Sequence, residues 1–545
     1  MIWKKEGSRM KKIRRYAVFF LILSMMLILA ACGMHKTVSE ADSEAVLNDA
    51  SESNMSEAYR KAIEDRRAEH EKTGEYRKVT YAIYTWTGRP AGLERIQESM
   101  NKILRKKLCL EIELIALDFA SYRQDIQLYL TNNDRQIDWY GGNVLGYTSC
   151  VNNGFCYDLD ENGLLNTYGP GIEELVPEKY REACKYAGHL YGIPPIKDYA
   201  ITAAAMVIGK EYLDAIGYEY KENEKQEVPS SWEEIEEIFA QLHSEFPDKY
   251  VFAASDNHFS QGSVIDDLGN DWFGVLLEPT KDRKVVNLME SDEWMKMVKR
   301  MYKWNRMGFI PADVLTDKTS SSAKIKSGAY MAMLAQSKPG YKNQISGECG
   351  REMIVFTLGR NIIKSSGITS VITCLNSATP DPVAAVQLMN ELYTDPKLST
   401  LLVWGEEGKD YVTDPDGHIH FPDGVDTRNA EWYHSMNWEM PNQYICPVWV
   451  GDSPDLGSQI LKFNAEAETS LALGFTFDNS AYAAEYAALQ NIFDEYANQL
   501  LSGFLDPVSG TAEFNDKLKR AGLNRYIAEK QRQFDVWYVT NYGKN

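Results

Sequence analysis

No C-x-x-C pair occurs in this chain, and no G-x-S-x-G, P-loop or G-x-G-x-x-G run stands in the strand-to-helix context that gives those motifs their chemistry. Local patterns therefore mark no dithiol redox centre, hydrolase elbow or nucleotide cradle. Basic residues are also short, 58 against 78 acidic ones, for a net charge of −20. The first 31 residues hold seven basic side chains and one acidic one, so the remainder of the chain is near −26. A surface of that sign repels phosphate backbones, which excludes nucleic acid as a partner. Cys32 aside, the cysteines number seven (Cys109, Cys150, Cys156, Cys184, Cys349, Cys374 and Cys446), an odd set that cannot pair completely within one chain. Cys150 and Cys156 flank Asn152-Asn153-Gly154 and could bridge locally, but the set reads mainly as small buried hydrophobes. Neither an internal repeat nor a low-complexity block interrupts the folded part.

Aromatics, by contrast, are plentiful, with 12 Trp and 32 Tyr. Such side chains offer an apolar face and a polar handle together, which suits sugar sites as well as large cores and interfaces. A length of 545 residues is enough for two to four domains.

The start of the chain has its own logic. Lys11, Lys12, Arg14 and Arg15 precede the apolar run Tyr16 to Ala31, which falls short of the roughly 20 residues a spanning helix needs. Leu29-Ala30-Ala31-Cys32 followed by Gly33 resembles the lipobox of a bacterial lipoprotein. That resemblance implies a signal peptide over residues 1–31, a diacylglyceryl group on Cys32, and a polypeptide held by two acyl chains on the outer face of the cell membrane. Residues 32–75 are rich in Ser, Glu, Ala and Lys and read as a flexible tether, with 58–72 as a solvated helix.

From Val79 the pattern changes. Val79 to Trp86 predicts a strand, Leu93, Ile96, Met100, Ile103 and Leu104 a helix, and Leu110 to Ala116 a half-buried strand. Tyr122 to Leu130 is amphipathic and Ile137 to Tyr140 is a short strand, so the order implies a parallel sheet covered by helices. Ser231 to Glu234 forms a capping box, Asp381-Pro382 starts another helix, and Gly503 closes one that carries Leu489, Ile492, Phe493, Tyr496 and Leu500. Asp414-Pro415-Asp416-Gly417 predicts a hairpin turn.

Several stretches taken in order resemble the family 1 extracellular solute-binding proteins, ligand-capturing lipoproteins of ABC importers. They are Ile137 to Tyr140, Leu159-Asp160, Gly188 to Pro194, Ser327 to Met333 and Pro380 to Pro396. Trp404 to Tyr411, Phe475 to Asp478, Gly503 to Asp506, Ala521-Gly522 and Glu529 to Gln533 resemble a carbohydrate-type subgroup with an extended C-terminal domain. The likeness runs from about residue 78 to 540. It implies an α/β fold of two lobes (type II, periplasmic-binding-protein-like) joined by hinge strands near Pro194-Pro195, 323–326 and 367–373. Lobe one is expected over 76–194 plus 327–368, and lobe two over 195–326 plus 369–545. The implied activity is non-enzymatic capture of a carbohydrate, an oligosaccharide by preference, by a monomer that delivers it to an ABC permease.

A neutral sugar needs flat aromatic faces and hydrogen-bonding side chains near strand carboxyl ends. The candidates are Trp86, Asp138, Tyr140, Tyr191, Asp198, Tyr199, Trp404, Trp438, Tyr444 and Trp449, while Trp139, which alternates with its neighbours, reads as core. No cofactor is expected. Asp414, Asp416, Gly417 and Asp423 imitate a calcium loop, but its first position falls on Val412 and its twelfth on Asp423 rather than Glu, and His418 and His420 lack a third ligand. A plain turn is the better reading. Two other functions fit the composition. One is an extracellular glycoside hydrolase, since two suitably spaced carboxylates among so many cannot be denied by sequence. The other is a peptide- or signal-binding lipoprotein of the same fold.

Overall fold

The computed structural model describes residues 55–543 apart from 86–88, 133–135, 255–261, 270, 318 and 434–436. The signal peptide, Cys32 and Trp86 therefore lie outside the described residues.

Order begins earlier than the hydropathy suggests. Helix α1 (Glu57–Thr73) buries Tyr59, Ile63 and Arg66. The Arg66 guanidinium donates to the Leu108 carbonyl at 3.0 Å and to Gln387 Oε1 at 2.5 Å, and Gln387 donates back to the Tyr59 carbonyl at 3.0 Å. The expected tether through residue 75 and solvated helix are thus corrected: this helix is clamped to the body by a buried arginine, which a search for apolar residues passes over.

Strand β1 (Arg77–Thr85), helix α2 (Leu93–Leu108), β2 (Leu110–Asp118), α3 (Tyr122–Thr131) and β3 (Trp139–Gly141) follow the predicted alternation. β1 pairs in parallel with β2 from Arg77↔Leu110 to Thr85↔Asp118, and with β3 at Tyr81↔Trp139. The short β4 (Gly192–Ile193) completes the outgoing part of this first sheet.

Residues 194–200 then carry the chain into a second sheet. Its central strand, β5 (Ile201–Gly209), is almost wholly buried. Around it gather β6 (Glu227–Pro229), β7 (Tyr250–Phe252), β8 (Tyr330–Ser337), β9 (Met353–Thr357) and β10 (Asn361–Ile363). β8, β9 and β10 all run antiparallel to β5, with β8 on one side and β9 and β10 on the other. Helix α4 (Trp232–Glu245) opens where the capping box places it: the Ser231 hydroxyl accepts the Glu234 N–H, and Ile235, Ile238, Phe239 and Leu242 go into the core. Helix α5 (Asp292–Arg306) packs beside it, buried through Trp294, Met297, Val298, Met301 and Trp304.

A second crossover, 364–372, returns the chain to the first sheet. There β11 (Thr373–Leu375) inserts antiparallel between β3 and β4, giving the order β2-β1-β3-β11-β4. Helices α6 (Pro382–Thr394) and α7 (Pro396–Val403) cover this lobe, and the predicted hairpin forms from β12 (Val412–Thr413) and β13 (Ile419–His420) with Gly417 at φ 91°. The chain leaves again through 446–455. Helix α8 (Leu456–Glu466) and β14 (Glu468–Thr469), parallel to β10, rejoin the second lobe. There α9 (Ala483–Leu501), α10 (Pro507–Arg520) and α11 (Leu523–Tyr542) share its core.

The expected partition of the lobes is therefore corrected. Residues 327–368 contain β8, β9 and β10 and belong to lobe two, whereas 369–445 return to lobe one. Helix Ser321–Lys326 is part of lobe two rather than a hinge. The crossovers near Pro194-Pro195 and 367–373 stand as expected. Apolar strands of either sheet look alike along the chain; only their pairing with β5 assigns them.

Candidate functional site

Registers locate the cleft. Gly141, ending β3, pairs with Thr373 just after the second crossover, and Ser337, ending β8, pairs with Thr202 just after the first. Carboxyl ends of strands from both sheets thus meet the crossovers, and ligands of open α/β sheets bind beyond such ends.

On the lobe-one side, the last turn of β1 places Tyr84 against Tyr122, ring centroids 4.7 Å apart and edge to face, and against Phe119 at 5.6 Å. Gly141 is needed here, because a Cβ would sit 2.7 Å from the Tyr84 ring; its N–H donates to the Tyr122 hydroxyl at 2.8 Å. The Tyr84 hydroxyl donates to Asn143 Oδ1 at 3.4 Å. Trp438, half-buried in a single 3-10 turn (Asn437–Glu439), tilts over Tyr84 at 6.0 Å. Beside it the Glu439 carboxyl is buried, 4% exposed. Its Oε2 accepts the Tyr84 N–H at 3.5 Å while Oε1 has no hydrogen-bond partner among the described residues, and burial pushes its pKa well above the carboxylate range. Tyr191 borders the same cluster, half-buried, its N–H donated to the Tyr147 hydroxyl at 3.2 Å.

At the crossovers a polar seam joins the lobes. Asp198 pairs with Lys338 at 2.8 Å. Burial alone would raise the Asp198 pKa, but the Lys338 and Lys197 ammoniums outweigh it and hold the carboxyl below its ordinary value. Tyr444 lies against Asp198, its hydroxyl pKa raised by burial and by that charge. Asn343 donates to Asp452 Oδ1 at 3.0 Å, and a ring nitrogen of His418 bonds the Asp452 carbonyl at 2.9 Å. Further out, Trp404 meets Trp449 edge to face at 5.4 Å and donates its indole N–H to the Pro447 carbonyl at 2.9 Å, with Phe421 against Trp449 at 4.7 Å.

The sequence candidates therefore separate. Tyr191 and Trp438 meet at one cluster, Asp198 and Tyr444 at the seam, and Trp404 and Trp449 in a third patch. Three are corrected. Asp138 immediately precedes β3 instead of ending it. Its carboxylate is consumed by the Thr80 N–H at 2.7 Å, the Thr80 hydroxyl at 3.0 Å, Gln136 at 3.2 Å and Thr379 at 2.6 Å, which ties β1 and β3 to the start of α6. Tyr140 is core, its hydroxyl donating to the Phe155 carbonyl at 3.2 Å. Tyr199 is core too, its hydroxyl bonded to the Pro195 carbonyl and its ring edge-on to Tyr180 at 4.8 Å. Trp139 is buried as expected and donates to the Ala385 carbonyl at 2.9 Å. Sequence reasoning missed Glu439, Asn143 and Lys338; only the adjacent Trp438 signalled the first of these.

All seven described cysteines are buried thiols. In the hairpin the turn carboxylates are engaged by histidines, Asp416 with His418 at 3.0 Å and Asp414 with His420 at 3.3 Å. Among the described residues no group of three or more His, Cys, Asp or Glu side chains is placed to hold a metal ion.

Two α/β lobes, crossovers between them and polar and aromatic groups at the strand ends define the fold of an extracellular solute-binding protein. Comparison with known proteins agrees on that fold. Residues 471–539 match the family described as "Domain of unknown function (DUF3502)". A "Carbohydrate ABC transporter substrate-binding protein" of Streptococcus pneumoniae is 22% identical over 469 residues, covering 84% of this chain and 91% of that protein. Among solved structures, the N-glycan transport solute binding protein NgtS of Streptococcus pneumoniae aligns with a TM-score of 0.74 at 20% identity, over 85% of this chain and 99% of that one. The same protein in complex with Man1GlcNAc aligns at 0.65 and 21%, with the same coverage.

Proposed function

We propose that this protein is an extracellular solute-binding lipoprotein that captures a carbohydrate, an oligosaccharide by preference, between its lobes and delivers it to an ABC permease without chemical change. The observation that carries the reading is likeness, over 85% of this chain, to a protein solved with a glycan bound. Nearly all of that neighbour's chain is matched, and the lobe boundary here is lined by strand ends and crossovers. Tyr191 and Trp438 from lobe one, with Asp198 and Tyr444 at the seam, are the side chains proposed to meet the ligand. Trp404 and Trp449 are proposed as extensions for a longer glycan, and Trp86, outside the described residues, stays a proposed ligand contact from sequence. The acylated Cys32 would anchor the chain, and among the described residues no helix is long and apolar enough to cross a membrane.

The test is a thermal-shift and calorimetry screen of the protein against neutral oligosaccharides, monosaccharides and short peptides. A ligand binding only the folded state adds about 2.7 kcal/mol at one hundred times its dissociation constant. A shift with an oligosaccharide recovered intact is expected. Cleavage of the sugar would favour a hydrolase, and shifts with peptides alone would overturn the carbohydrate reading. For the anchor, mass spectrometry should find a diacylglyceryl group on Cys32, and Cys32→Ala should release the protein from membranes.

A further inference from the structure

Glu439 is a costly residue to keep where it is. A carboxyl buried to 4% exposure with Oε1 lacking a partner among the described residues costs folding free energy, because none of them replaces the water it lost. Such orphans persist where a ligand completes them, since groups kept for binding are commonly suboptimal for stability. Its surroundings say which ligand. The half-buried Trp438 indole adjoins it in the chain, Tyr84 lies below at 6.0 Å from that indole, and the 3-10 turn sits at the carboxyl end of β1. An aromatic face beside a hydrogen-bonding carboxyl suits the C–H face and rim hydroxyls of a sugar ring. No cation among the described residues bears on the carboxyl. Lys338, at the seam, is already paired with Asp198.

Building on the carbohydrate reading above, we infer that Trp438 and Glu439 form the anchoring subsite of the cleft and select a neutral, hydroxyl-bearing ring. The indole stacks on the ring and Glu439 Oε1 exchanges a hydrogen bond with one of its hydroxyls. Chains carrying a carboxylate or sulfate on that ring are refused, because no positive group among the described residues of the subsite would offset the desolvation of their charge.

The test is calorimetry with three oligosaccharide probes of equal length: a neutral mannosyl-N-acetylglucosamine chain, an oligo-uronate and a cationic glucosamine oligomer. They are measured against the unaltered protein, Glu439→Gln, Glu439→Leu and Trp438→Ala, with the melting temperature of each ligand-free variant recorded. The neutral chain should bind best. Gln can still accept and donate and should hold the dissociation constant within about threefold, whereas Leu should weaken it by about ten- to a hundredfold. Trp438→Ala should weaken it as well. Without ligand, Glu439→Leu strands the Tyr84 N–H that Oε2 accepts, so its binding is read at a temperature where its recorded melting curve shows it folded. An unchanged dissociation constant in Glu439→Leu, or equal or tighter binding of the uronate or glucosamine chain by the unaltered protein, would each overturn the inference while leaving carbohydrate capture intact. Failure of every sugar to bind the unaltered protein would overturn both.

Discussion

At the residue scale the clearest case is Lys530, a charge fully buried where the C-terminal domain meets lobe two. Its ammonium sits 2.7 Å from Asp271 Oδ1 and 3.2 and 3.1 Å from the Asp267 and Gly274 carbonyls, while the Tyr526 hydroxyl donates to the other Asp271 oxygen at 2.8 Å. Removing one member of such a group strands the other. Lys530→Met should therefore cost about 3–5 kcal/mol in urea unfolding. The double change Lys530→Met with Asp271→Leu should recover part of that loss. Asp198 makes a prediction about pH. Its carboxyl pKa is depressed in the folded chain, so its contribution is present above the unfolded value of about 3.9 and disappears as pH falls through the lower folded value. Melting curves between pH 5 and 2 should show a smaller acid-induced decline in Asp198→Asn than in the unaltered protein. Chemistry of this kind is invisible along the chain. Lys530, Asp271 and Lys338 are three among many charges until packing brings them to their partners, and Asp198 was legible only as a candidate ligand group, not as half of an ion pair.

Among the elements, the helices were the most legible because their signals are local. The Ser231 cap and the Asp381 cap, which accepts the Ala384 N–H at 2.9 Å, form as their residue types dictate. Gly503 ends α9 at φ 75°, and a Cβ there would lie 2.3 Å from the Met301 carbonyl and 2.7 Å from Asn305 Cβ of α5. Strained backbone and a clash with another helix coincide at one position. Gly503→Ala should thus destabilise by more than about 1 kcal/mol, measurable as a lower melting temperature. Helix α1 was misread for a corresponding reason. Tyr59, Ile63 and Arg66 recur at i, i+4 and i+7, a helical face, yet one of the three is a cation that buries itself by donating to Leu108 and Gln387.

For the whole molecule the crossovers matter most. Chain segments 194–200, 364–372 and 446–455 link the lobes, and the Asp198–Lys338 and Asn343–Asp452 contacts cross the seam beside them. Two bodies joined this way close on a ligand by bending at the links. Small-angle scattering should show the radius of gyration falling when a bound oligosaccharide saturates the protein. An unchanged radius would mean that the ligand enters a cleft already closed. The proposed candidates fall into separate patches. Tyr191 with Trp438, Asp198 with Tyr444, and Trp404 with Trp449 occupy different places along the lobe boundary.

Sequence alone determined what depends on neighbours a few residues away: the strand–helix alternation of lobe one, the caps, the hairpin, Trp139 as core, and an order of motifs that carried the fold class across low identity. Only the tertiary structure decided what depends on partners hundreds of residues distant. It assigned β8, β9 and β10 to lobe two through their pairing with β5, and returned 369–445 to lobe one through β11. It also turned Asp138, Tyr140 and Tyr199 from candidates into structural residues, because each polar group found its partners inside the fold. Glu439 moved the other way for the same reason: a carboxylate stands out only when packing buries it and leaves one oxygen without a donor.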